Sequence, residues 1–357
     1  MLRRAVVVAV IWVGVMVAIG IQPASVLGVL ALSLVTIPLA ILFHEGGHWA
    51  AGWALGHRCL KFVVGPLELT RVASGWRARF QDKWRTGAVY AYPSSFEQFR
   101  LQMGISAVAG PMGSFVGAVV FLWFGHVAED PSFAWFWFFA AAWSAVLGVE
   151  NLRPFQWGGH QSDGYSLLEF LLQRQEGIDA IQRRMLAGSS QVTDLRPRDW
   201  PRDLILRLAE AVPDGHLLHH KDRSRQDNLY CAYLHFLDSG DTGKARLYLD
   251  RLLAGWRADD PPEHALEAAY FLAFHGGDAA ASGKWLETEA RNAEPWLRGR
   301  AAAAVEQAGG NRDKARELIM ESLAALRAVR PCGARQYEMD LLGEMLQRQG
   351  AAVKSPA

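Results

Sequence analysis

Uncharged apolar runs crowd roughly the first 150 residues, and charged sequence with helical apolar spacing fills the rest. Four runs are long enough to cross a bilayer, which takes roughly 20 residues: Ala5 to Ile21, Ala24 to Phe43, Met103 to Phe124 and Phe133 to Val149. The first follows Arg3 and Arg4 like a signal peptide, but its 17 uncharged residues exceed the about 7 to 15 of a signal-peptide core. It is therefore read as an uncleaved helix. Residues 61–92 follow another period. KFVVGPLELTRV, WRARF and AVYAY are rich in β-branched and aromatic residues and are interrupted by Gly65, Pro66, Gly75 and Gly87, the mark of a β-hairpin.

The pattern thus predicts a polytopic α-helical membrane domain over residues 1–174, with about four transmembrane helices (about 5–21, 24–48, 103–124 and 133–152) and a membrane-associated β-hairpin at 61–92. Residues 175–202 turn polar and proline-bearing and are expected to be a linker. A C-terminal all-α soluble domain is expected over 203–357. There SGDTGKARLYLDRL, GGDAAASGKWLETE and GGNRDKARELIMES form a weak repeat, with Gly240, Gly277 and Gly310 spaced 37 and 33 residues apart. A small residue falls five positions after each glycine (Ala245, Ser282, Ala315) and an aliphatic one nine after (Leu249, Leu286, Ile319). This resembles tetratricopeptide-type helix pairs, with a period of about 34, which implies a cytoplasmic protein partner bound by a stacked groove.

Charge orients the membrane half. Arg3 and Arg4 precede the first span, and Arg58, Lys61, Arg71, Arg77, Arg79, Lys83, Arg85 and Arg100 lie between the second and third. The loop between the third and fourth carries Glu129 and Asp130 and no cation. Positive residues mark the cytoplasmic side, so both termini are expected there, in the inner membrane of a cell that the arginine excess (30 Arg to 7 Lys) suggests is bacterial. A net charge of +1 gives no reason to expect a nucleic-acid partner. Cys59, Cys231 and Cys332 are far apart, which suits a reducing compartment and excludes a thiolate metal site.

This topology brings two distant pieces of chain to one depth. The second span runs into HEGGH, with His44 roughly 28 Å along it at ~1.5 Å per residue; the fourth also runs inward and is followed by Asn151 and Asp163. His44 and His48, at i and i+4 of a helix, can bind one Zn2+ ion through their imidazoles, and Glu45 can reach the water without ligating. A catalytic zinc needs a third protein ligand and an open position. Asp163 is expected to supply it, with His160 as the alternative. The bland reading makes HEGGH a solvated stretch beyond the span. His216, His219 and His220 in DGHLLHHKD lack an acidic or thiol partner at ligand spacing and read as a solvated loop.

FHEGGHWAAGWALG (43–56), AGPMGS (109–114), NLRP (151–154) and SDG (162–164) together resemble the site-2 protease family of intramembrane zinc metalloproteases, over roughly residues 20 to 170. The resemblance implies His44, His48 and Asp163 as zinc ligands, Glu45 as general base and Asn151 as a supporting residue near the metal. It implies hydrolysis of a membrane-anchored protein substrate in or near its transmembrane segment, such as an anti-sigma factor or a signal-peptide remnant. The chain departs from the family pattern in two places: the stretch from Asn151 to Asp163 is longer, filled by RPFQWGGHQS, and Ser114 stands where an asparagine is common. The hairpin is expected either to hold an unwound substrate segment by β-augmentation or to rest a basic face on anionic lipid. A different class of function, a catalytically silent membrane-anchored scaffold binding partners through its repeats, is disfavoured by the intact Glu45.

Overall fold

The computed structural model describes residues 23–72, 75–157, 160–212, 223–257, 260–287 and 293–353. The chain forms two compact units. The first comprises Met1–Arg71, Trp76–Ala91 and Arg100–Gln173; the second comprises Val72–Gly75, Tyr92–Phe99 and Arg174–Ala357. The expected first span and the His216, His219 and His220 cluster lie outside the described residues.

The first unit contains three long apolar helices, α1 (Pro23–Ala54), α2 (Phe99–Val127) and α3 (Pro131–Leu152). Two of them, Phe99–Val127 and the Phe133–Leu152 part of α3, are long and apolar enough to cross a membrane. Their most apolar windows are only 39% and 22% buried, whereas the core helix of a soluble protein hides most of its surface. Phe121, Ala140 and Ala141 form a small core against Leu39, Phe43 and Trp137. Between α1 and α2 stands a two-stranded ribbon, β1 (Arg58–Val72) and β2 (Gly75–Tyr92). The glycines that were expected to interrupt it lie inside continuous strands, Gly65 with φ +56° and Gly87 with φ +157°. Beyond α3, a short antiparallel pair, β3 (Gln156–Trp157) and β4 (His160–Gln161), leads to α4 (Asp163–Leu171).

The second unit corrects the expected linker at 175–202. This segment is folded: α5 (Gln175–Val192) buries Ile178, Ile181, Leu186 and Val192 on one side. Trp200, just before α6 (Arg202–Glu210), is buried and donates its indole N–H to Ser190. Polar residues dominate this stretch because only one face of α5 is covered; the apolar residues recur at helical spacing. Three helix pairs follow: α7 (Arg223–Asp238) with α8 (Thr242–Leu253), α9 (Pro262–Phe274) with α10 (Ala279–Leu286), and α11 (Pro295–Ala308) with α12 (Arg312–Arg327). Helix α13 (Gly333–Val353) ends the described chain. Gly240, Gly277 and Gly310 sit in the turns inside the pairs at φ +78°, +68° and +86°, the left-handed stop that glycine adopts without a Cβ penalty. Asp241 and Asp278 then cap the next helices by accepting from the Lys244 and Ala281 amides. The small repeat residues Ala245, Ser282 and Ala315 are fully buried where helices cross.

Candidate metal centre

HEGGH lies well inside α1, which continues to Ala54. The histidine pair therefore shares one helix face, and His44 and Glu45 are buried. The solvated reading of this stretch is thereby overturned. Two main-chain approaches close the site. A Cβ on Gly47 would stand 2.1 Å from the Ala109 carbonyl oxygen, and one on Gly113 would stand 2.4 Å from that of Phe43. Helices α1 and α2 thus meet backbone to backbone, as small residues permit. Gly110 opens the space that the His48 ring fills; its Cβ would fall 2.2 Å from His48 Nε2.

Asp163 arrives from the other end of the unit. The stretch from Asn151 to Asp163 is too long for helix geometry to carry the aspartate to the ligands, and the structure resolves this by pinching it off. Ser162 donates its hydroxyl to Arg153 O (2.7 Å) and accepts from the amides of Phe155 (3.1 Å) and Tyr165 (3.1 Å), while Ser162 N donates to Phe155 O (3.0 Å). Gln156 and Trp157 of β3 pair with Gln161 and His160 of β4, and α4 starts at Asp163 against the end of α3. Gly164 makes that contact possible, since a Cβ there would lie 1.9 Å from Leu152 O.

The three ligand-type atoms converge. His44 Nε2 and His48 Nε2 lie 3.2 and 3.3 Å from Asp163 Oδ2, and one donor atom from each residue lies within 4.8 Å of the others. Donors about 2.05 Å from a tetrahedral zinc are about 3.3 Å apart, so both nitrogen–oxygen separations match a shared ion. Hydrogen-bond chemistry points the same way. His48 Nδ1 is 2.7 Å from the Ser106 carbonyl oxygen, which can only accept. Its proton therefore sits on Nδ1, while Nε2 faces a carboxylate oxygen, a pairing that a bound cation or a second ring proton satisfies. Asp163 Oδ2, although buried, takes no hydrogen bond. His44 Nδ1 faces Ser114 Oγ at 2.9 Å. These residues therefore fit a metal ion through two imidazoles and a carboxylate.

Glu45 is held by the ribbon. The Val89 amide hydrogen-bonds its carboxylate, and a Cβ on Gly87 would stand 2.6 Å from Glu45 Oε1. The side chains of His48 and Asp163 are 16% and 22% exposed against 6% for His44.

Of the expected site residues, the structure brings together His44, His48 and Asp163, with Glu45 next to the first. Asn151 stands in the last turn of α3, where its amide donates to Leu147 O at 3.0 Å. His160 lies in β4, and its side chain is outside the described residues. Sequence reasoning gave Ser106 and Val89 no role, read Gly87 only as a break in the hairpin, and met Gly164 only within SDG. Ser106 and Val89 act through the backbone, which carries no residue signature, and the only signal at the other two was glycine itself.

No protein-family model matches the sequence, and neither the curated proteins nor the solved structures yield a match.

Proposed function

We propose that this chain is an intramembrane zinc metalloprotease of the site-2 protease type, which hydrolyses peptide bonds in or near the transmembrane segments of membrane-anchored proteins. The observation that carries the reading is the convergence of two imidazole Nε2 atoms and one carboxylate oxygen, beside a buried glutamate, in a unit of apolar helices. Exposed Val119, Trp123, Phe133, Trp135 and Val149 on α2 and α3 support placement in lipid.

His44, His48 and Asp163 would hold the ion. Zinc in such a site makes water nucleophilic near neutral pH and polarises a carbonyl. Glu45 accepts the proton of the attacking water on its carboxylate and returns it to the amine nitrogen as the C–N bond breaks. The hydroxyl of the water ends on the carbonyl carbon, and its proton on the leaving amine. The Val89 amide and the close wall at Gly87 keep the Glu45 carboxylate in place for both transfers. Partial exposure on the Asp163 side gives water its route in.

The test combines metal content with processing in cells. Purified wild type and Glu45→Gln are expected to carry one zinc per chain and Asp163→Ala none. Membrane-protein fragments present in cells making wild type should vanish with Glu45→Gln. Intact processing by Glu45→Gln sinks the peptidase reading. Zinc retained by Asp163→Ala moves the third ligand to another group, His160 first.

A further inference from the structure

A histidine that ligates a metal through Nε2 must keep its proton on Nδ1 and needs an acceptor there, which fixes both the tautomer and the ring rotation. The two ligand histidines meet this need differently. His48 is served by the main-chain carbonyl of Ser106 at 2.7 Å, which helix α2 supplies whatever side chain stands at 106. His44 is served by a side chain, Ser114 Oγ, at 2.9 Å. Two further observations give that contact weight. Ser114 is fully buried, so no bulk water can replace it as acceptor. A Cβ on Gly148 of α3 would stand 3.2 Å from Ser114 Cβ; the glycine leaves just enough room for the serine and little for it to swing away.

We infer that Ser114 is a positioning residue of the metal centre: its hydroxyl oxygen accepts the His44 Nδ1 proton and so aims the Nε2 lone pair at the point shared with His48 and Asp163. The inference rests on the metal-centre reading above. The alternative is a helix-interior serine that bonds its own preceding turn, as buried serines often do, and touches His44 by proximity alone. The two readings differ in what serine removal does to metal affinity.

The experiment uses the full chain in detergent, stripped of metal and titrated with zinc against a competing chelator. Ser114→Ala is expected to weaken zinc binding about 10- to 100-fold, the usual cost of losing a ligand's hydrogen-bond partner. Ser144→Ala, the loss of an equally buried serine on α3 that the metal centre does not use, should leave affinity unchanged. The thermal midpoint of the metal-free chain should be the same for both variants and wild type. Wild-type affinity in Ser114→Ala overturns the inference, and so does equal weakening by Ser144→Ala or a lowered metal-free midpoint that accounts for the loss. A wild-type chain that takes up no zinc sinks the metal centre itself, and the inference with it.

Discussion

At Gly110 the distance from a would-be methyl carbon to His48 Nε2 is 2.2 Å, far inside any contact that real atoms tolerate. The nearest atom belongs to a ligand ring rather than to a flexible surface chain, so the ring must yield. It cannot yield freely, because its Nδ1 is tied to Ser106 O. Gly110→Ala is therefore expected to lower zinc occupancy strongly while the helices still assemble, the mirror of the outcome proposed for Glu45→Gln, an ion kept and turnover lost. Metal analysis of the two purified variants side by side checks this; full zinc in Gly110→Ala would refute the tight fit. At this scale the sequence was legible wherever a side chain does chemistry. The i, i+4 spacing puts His44 and His48 on one helix face, and Asp163 follows an apolar run expected to end at the same depth. It was illegible wherever the backbone acts. The Ser106 carbonyl and the Val89 amide are available at every residue, so nothing in the letters marks them out.

Helices α9, α11 and α13 are joined by a buried ionic group that no pattern announced. Arg300 Nη2 donates to Glu267 Oε1 at 2.6 Å, Arg300 Nε lies 3.5 Å from Glu338 Oε2, and Tyr233 donates to Glu267 Oε2 at 2.8 Å. One guanidinium faces two carboxylates inside the fold, and burial together with the neighbouring Glu267 pushes the Glu338 carboxyl up to about 7, against the pull of Arg300. Between its ordinary value of 4.5 and about 7 the folded chain keeps a proton that the unfolded chain has lost, so stability falls as pH rises across that window. At ~1.4 kcal/mol per pKa unit the loss is on the order of 3 kcal/mol. Urea unfolding of the C-terminal unit, followed within the full chain at pH 5 and pH 8, should show it, and Glu338→Gln should flatten the difference. The helix pairs around this group were readable, because a left-handed glycine followed by an Asp cap leaves a fixed signature at Gly240 and Gly277. The β3–β4 pair was not. Its strands are two residues each, and what closes it is a single serine, Ser162, bonding across seven and nine positions. The folded segment 175–202 was misread for a related reason: a helix covered on one face shows mostly its polar residues.

Over the whole molecule the two units differ in what they show to their surroundings. The first leaves Trp123, Phe133 and Trp135 exposed on helices that are largely unburied, and the second encloses its own core around Leu204, Leu229, Tyr233, Leu266 and Leu342. The proposed placement of the first unit in lipid accounts for this contrast. The cations between α1 and α2 and the anions Glu129 and Asp130 between α2 and α3 then decide on which side of the membrane the second unit lies. All three native cysteines are buried, which shields them from a maleimide, and the Cys231 thiol is also pushed up to about 12 by burial. Single cysteines placed at exposed positions therefore report topology without a cysteine-free background. Glu129→Cys should react with a membrane-impermeant maleimide in intact cells. Arg312→Cys, on the exposed start of α12, should react only after lysis. The opposite pattern would turn the chain over and place the helix pairs outside the cell. Labelling of both in intact cells would mean that α2 and α3 do not carry their connecting loop across the bilayer, which would remove the reason for a buried hydrolytic centre altogether.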